Sequence, residues 1–120
     1  MTDPEPKMLR TLFCIAVNQN FHDLSLPQAQ QLMGVFVTAL DDLKGRFGMQ
    51  VLGTFDDDQM MVGASNGAPW TAYILADVPD LDAVIGFCNL FRITPALDGQ
   101  LWKFAKIEAR IGRKLFAGNA

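Results

Sequence analysis

The sequence predicts an α+β domain, a four-stranded antiparallel sheet with two helices packed on one of its faces. Three observations predict it. Apolar segments follow one another along the chain as strand, helix, strand, strand, helix, strand. The two helical segments each start at a capping residue and carry apolar side chains at i, i+3, i+4 and i+7. The 120 residues, half of them apolar and 19% charged, suit one compact domain with a buried core.

Residues 1–8, proline-bearing and poor in apolar side chains, read as a flexible N-terminus. Residues 9–113 form the single domain, and residues 114–120 a C-terminal tail. Leu9 to Val17 (LRTLFCIAV) is a largely apolar, β-compatible run, as expected of a central strand covered on both faces. It ends at the polar turn Asn18-Gln19-Asn20. Ser25 and Gln28 then stand at capping-box spacing, with Pro27 in the first turn. The stripe Leu32, Val35, Phe36, Ala39, Leu40 and Leu43 follows, and Gly45 is the expected stop.

Met49 to Phe55 is the second strand. Asp56, Asp57 and Asp58 interrupt it, and Gln59 to Val62 resumes it after a bulge or tight turn. SNGAP (Ser65 to Pro69) signals a turn before a third strand, Trp70 to Ala76. The second helix opens near Asp77 or Asp80 with Pro79 in its first turn, and its stripe is Leu81, Val84, Ile85, Cys88 and Phe91 or Arg92. ITPALDG (Ile93 to Gly99) is a loop, and Leu101 to Arg110 the fourth strand.

Right-handed crossovers fold this βαββαβ order into a sheet of order 4-1-3-2 with both helices on one face. The other face is then uncovered. Phe13, Ile15 and Val17 oppose Leu12, Cys14 and Ala16 across the first strand, so both faces are apolar. A bare apolar face implies a homodimer through the sheet faces.

A net charge of −3 and a pI near 4.9 argue against a nucleic-acid partner, which needs clustered Lys and Arg. Cys14 and Cys88 lie in apolar runs with no CxxC or Cys/His cluster, as for buried thiols in a reducing compartment. No basic leader precedes an apolar core and no run reaches spanning length, so the expected location is cytoplasmic, with no membrane partner. Neither a metal nor a cofactor is expected.

In this topology one end of the sheet collects the polar and aromatic residues. Asn18, Asn20, His22 and Asp23 follow the first strand, and Asp56 to Asp58 follow the second. Trp70, Tyr73, Arg92 and Trp102 join them, which is how a small-molecule cleft is built. His22 is the sole imidazole and a candidate general base, oriented by Asp23 or the acidic run; equally, it is a loop histidine near a helix start. Asp57 and Asp58 are the other candidate catalytic groups, or a solvated turn. Trp70 and Trp102 either wall a stacking slot or pack a core or interface. Tyr73 either donates into the cleft or anchors the interface. Arg92, beside an apolar stripe, calls for a carboxylate, from a ligand or from Asp57 or Asp98.

With this order established, the chain resembles the dimeric α/β-barrel superfamily, in which ferredoxin-like domains pair their sheets. VNQNF (Val17 to Phe21), FDDDQMMVG (Phe55 to Gly63), PWTAYILADV (Pro69 to Val78), CNLFRITP (Cys88 to Pro95) and LWKFAKIEARIGR (Leu101 to Arg113) resemble the small IacB-like proteins encoded beside enzymes of bacterial indole-3-acetate breakdown. That resemblance implies an aromatic, indole-acetate-type carboxylate as ligand. The copper-chaperone MxCxxC loop and the glycine-rich loop of acylphosphatases are absent. Three functions follow. One is a cofactor-independent isomerase, lyase or monooxygenase-like enzyme with His22, Asp57 and Asp58 moving protons and Asn18, Asn20, Trp70, Tyr73, Arg92 and Trp102 holding the substrate. The second is a non-catalytic binding or carrier protein, and the third a structural partner of a larger enzyme.

Overall fold

The computed structural model describes residues 8–60, 62–63 and 71–118. The apolar run at the start forms β1 (Leu9–Val17), and it is central because both its sides are paired. On one side lies β3 (Ala72–Val78), with Phe13 opposite Ile74; on the other lies β6 (Ala105–Gly112), with Phe13 opposite Ala109. Strand β2 (Gln50–Asp56) pairs with the outer side of β3, so the sheet order is β2-β3-β1-β6 with every pair antiparallel.

Alternation along β1 decides which side chains enter the core. Phe13 and Ile15 point to the helix side together with Ile74, Ala76 and Val78 of β3. They meet α2 (Leu26–Ala39) through Leu32, Phe36 and Ala39, and α4 (Leu81–Ile93) through Val84, Phe87 and Phe91. Phe87 is fully buried, edge-on to Phe13 at 4.7 Å and to Phe47 at 5.8 Å. Burial of each such ring contributes roughly 1.5–3 kcal/mol. Thr11 is buried beside them, and its hydroxyl donates to the Leu9 carbonyl at 3.1 Å.

The other side of the sheet carries no helix. Its centre holds Leu12, Cys14, Ala16, Tyr73 and Leu75, with Arg10 paired to Asp77 across β1 and β3 at 2.7 Å. The hydrogen bond to that carboxylate, opposed by burial, raises the Arg10 pKa. Glu108 and Arg110 on β6 share this face, so it is mixed at its edge rather than uniformly apolar.

Several expectations shift. The first long helix is broken in two. After α2 stops at Ala39, Asp42 takes a left-handed conformation (φ 50°) and caps α3 (Leu43–Phe47), its side chain accepting from the Gly45 N–H. Gly45 is therefore inside α3, where a Cβ would strike the Asp42 carboxylate, and the stop is Gly48 (φ 68°). The cap of α2 is as expected: the Ser25 hydroxyl accepts from the Gln28 N–H and the Gln28 side chain from the Ser25 N–H.

Gln59, Met60 and Val62 lie in no strand; the bulge falls earlier, inside β2 between Val51 and Gly53. Strand β3 continues to Val78, whose side chain is fully buried, and Asp80 caps α4, so Pro79 precedes the helix. The buried stripe of α4 is Val84, Phe87 and Phe91, while Leu81 and Ile85 are exposed. The expected loop contains a small hairpin of β4 (Pro95–Ala96) and β5 (Gly99–Gln100) around Leu97, which has φ 54°. The fourth long strand begins at Ala105, because Leu101–Lys103 is a 3-10 turn that buries Leu101 and Phe104 on one side. The expected SNGAP turn, Trp70 and the first seven residues lie outside the described residues. No described helix is long and apolar enough to cross a membrane.

Candidate functional site

Antiparallel pairing brings the end of β1, the starts of β3 and β6 and the end of β2 to one edge of the sheet, as the expected topology requires. What happens there is set by two asparagines. The Asn18 N–H donates to the Phe104 carbonyl at 2.7 Å, and its side-chain amide to the carbonyls of Trp102 and Lys103 at 3.2 and 3.3 Å. The Asn20 amide also donates to the Lys103 carbonyl, at 2.9 Å. Both amide donors are spent on the main chain of the 3-10 turn. They hold the turn that carries Trp102, and Asn20 also lines a second cavity with Asp23, Gln28, Asp98 and Lys103.

Lys103 closes the same turn by pairing with Asp98 at 3.0 Å. That hydrogen bond and charge hold the Asp98 carboxyl below the usual carboxylate range. Asp98 is thus engaged by Lys103 rather than by Arg92.

Trp102 stands at one end of a groove of about 520 Å³ between α4 and β6, a size typical of small-molecule sites. Because Val84, Phe87 and Phe91 turn into the core, the next flank of α4 presents Ile85, Cys88, Asn89 and Arg92 to this groove. Its floor is Ala105, Ile107 and Ala109, the helix-side residues of β6. Alanines at two of these three positions leave the space. The Arg92 guanidinium sits 5.4 Å from the centre of the Trp102 ring, a cation–π distance. No other described residue forms an ion pair with Arg92. Burial raises the Cys88 pKa, so that thiol is neutral at ordinary pH and a poor nucleophile. Among the described residues, no carboxylate or imidazole lines the groove.

The remaining predicted residues lie elsewhere. Tyr73 is on the uncovered face, its ring stacked on Phe55 at 4.9 Å and its hydroxyl donating to Asp57 at 3.1 Å. Half-burial, and then the Asp57 carboxylate, raise the Tyr73 pKa. The acidic run is a turn: the Asp58 N–H donates to the Asp56 carboxylate at 3.2 Å, and the Asp57 N–H to the Thr71 carbonyl at 3.1 Å.

His22 ends the short helix α1 (Gln19–His22), exposed and edge-on to Phe21 at 5.7 Å. Asp23 accepts from the Gln19 side chain at 3.0 Å, and no hydrogen bond joins it to the His22 imidazole among the described residues. Trp70 is outside the described residues, and no group of three metal-ligating side chains occurs among those described.

The structure therefore joins Arg92 with Trp102 and joins Tyr73 with Asp57. It separates these pairs onto opposite faces and onto opposite sides of β1, and His22 contacts neither. The sequence reading missed Ile85, Ala105, Ile107 and Ala109 as groove residues. Their signal was present in the small-large-small alternation of AKIEA and in the exposed flank of α4. No protein-family model, curated protein or solved structure matches the chain.

Proposed function

We propose that this chain is a binding or carrier protein for a small aromatic carboxylate, held in the groove between α4 and β6. The observation that carries the proposal is the Arg92 guanidinium over Trp102 at the end of an apolar groove, with no ion pair to another described residue. An aromatic ring fits against Ile85, Ile107 and the alanine floor, while Arg92 takes the carboxylate through a charge-assisted hydrogen bond. Indole-3-acetate has this chemistry, and it is also the ligand class implied by the resemblance in the sequence.

Carriage rather than turnover is the favoured reading because, among the described residues, neither a carboxylate nor an imidazole lines the groove as a general base. Among the described residues, its candidate nucleophiles are the Cys88 thiol, which burial keeps protonated, and the Lys106 amine. The proposal extends to the fold, taken as a ferredoxin-like domain, and to pairing of its uncovered face with a second copy through Leu12, Tyr73 and Leu75.

Isothermal titration calorimetry with indole-3-acetate and indole-3-acetamide tests the ligand reading. Indole-3-acetate should bind at least tenfold more tightly than the uncharged amide, and Arg92→Ala should remove that preference, since a hydrogen bond to a charged group contributes roughly 1.5–3 kcal/mol. No binding at millimolar ligand, or equal binding of acid and amide, would refute it.

A further inference from the structure

The two edges of the sheet are built differently. β2 carries a register shift between Val51 and Gly53, and a bulge of this kind bends a strand edge and protects it from pairing with other chains. β6 has no bulge. It runs from Ala105 to Gly112 in unbroken register with β1, contains no proline, and is the last strand of the sheet. Its side chains alternate, with Lys106, Glu108 and Arg110 on the uncovered face and Ile107, Ala109 and Ile111 on the helix side. Ile111 is 44% exposed at this edge, and Ile85, on the neighbouring flank of α4, is 56% exposed.

We infer that β6 pairs antiparallel with β6 of a second copy, about a two-fold axis through Ala109. In that register Glu108 faces the second copy's Arg110, Ile107 faces its Ile111, and Ala109 faces itself. The 3.0 Å pair between Glu108 and Arg110 along one strand becomes part of a four-charge ladder of alternating sign. Other registers are poorer. An axis through Glu108 sets carboxylate on carboxylate, and one through Arg110 sets guanidinium on guanidinium. An axis through Ile107 pairs Lys106 with Glu108, but it shortens the paired stretch and leaves Arg110 and Ile111 without strand partners. A slip by one residue puts charged side chains against the apolar helix side. The partner is therefore another copy of this chain; Ile107 and Ala109 are shared with the groove floor, but the contact depends on neither the ligand reading nor the face pairing proposed above. Edge pairing alone buries little surface, so association is weak and concentration-dependent.

Ala109→Cys tests the axis directly. Paired Cα atoms across an antiparallel ladder are about 4.5–5.5 Å apart, within disulfide range. The variant should oxidise to a disulfide-linked dimer, while wild-type protein, with Cys14 buried and Cys88 half-buried, should not. Ala109 lies on the helix side, so face-to-face pairing does not bring it to its own copy. Arg110→Glu should weaken self-association in sedimentation by roughly tenfold or more, since two opposite-charge pairs become two like-charge pairs. Glu108→Arg with Arg110→Glu should restore it, with circular dichroism unchanged throughout. An Ala109→Cys protein that stays monomeric on oxidation would overturn the inference, even if the wild type dimerises by its sheet face. So would a charge swap that fails to restore association.

Discussion

Replacing Phe87 by alanine should remove a large part of the stability of this domain. The ring is fully buried where α4, β1 and α3 meet, and it makes edge-on contacts with Phe13 at 4.7 Å and Phe47 at 5.8 Å. Truncating such a ring to alanine costs about 3–5 kcal/mol, from lost transfer energy and the cavity left behind. Domains of this size have roughly 5–15 kcal/mol in total. Phe87→Leu keeps most of the apolar volume but loses both edge-on contacts, each contributing about 0.5–1.5 kcal/mol. Its cost should then fall near 1–3 kcal/mol by the same two contacts. Urea unfolding followed by circular dichroism gives both values from midpoint and slope. With a slope of about 1–3 kcal/mol per molar, the alanine variant should lower the midpoint by roughly 2 M. A loss under about 1 kcal/mol for alanine would refute this packing of α4, and leucine costing as much as alanine would refute the role given to the ring edges.

Two further predictions concern titration. Tyr73 is the only tyrosine, so tyrosinate absorbance reports it alone. Its raised pKa means that its contribution to stability is present below the ordinary tyrosine pKa near 10 and is lost as pH rises through the folded value. Asp57→Asn should lower the Tyr73 pKa while leaving the part due to burial, and an unchanged titration would show that the Asp57 contact is not formed. Asp98 has the opposite sign. Its depressed pKa contributes stability above the ordinary aspartate value near 4, lost as pH falls through the folded value. Lys103→Met should return the Asp98 carboxyl, followed by NMR, to the usual range; a titration that stays depressed would exclude the ion pair as the cause.

How much could be read from the sequence depended on how local the determining interaction was. β1 is legible because six consecutive apolar residues, Leu12 to Val17, make both of its faces apolar, and the α2 start because the Ser25–Gln28 box is closed within four residues. The break before α3 was hidden, since Leu40 and Leu43 continue the apolar stripe across Asp42, whose left-handed φ no pattern announces. In α4 the segment LDAVIGFCNLFRI is apolar on almost every side, so periodicity could not choose between Ile85 and Phe87. Leu101 and Phe104 imitate a strand although they share one side of a 3-10 turn.

The meeting of Arg92 with Trp102 followed from topology, which places both at one end of the sheet. Topology at that level did not give the face. Tyr73 is a single residue from the core-facing Ile74 and so falls on the opposite side. Nor does spacing reveal that the Asn18 and Asn20 amides are occupied by main-chain carbonyls brought from more than eighty residues away.

The location of the ligand is the central claim, and backbone amide NMR during titration with indole-3-acetate tests it most directly. Shifts should concentrate in Val84 to Arg92 and in Trp102 to Ala109, with the Trp102 indole N–H among the largest. Shifts centred instead on Phe55, Asp57 and Tyr73, on the opposite face of the sheet, would contradict the claim.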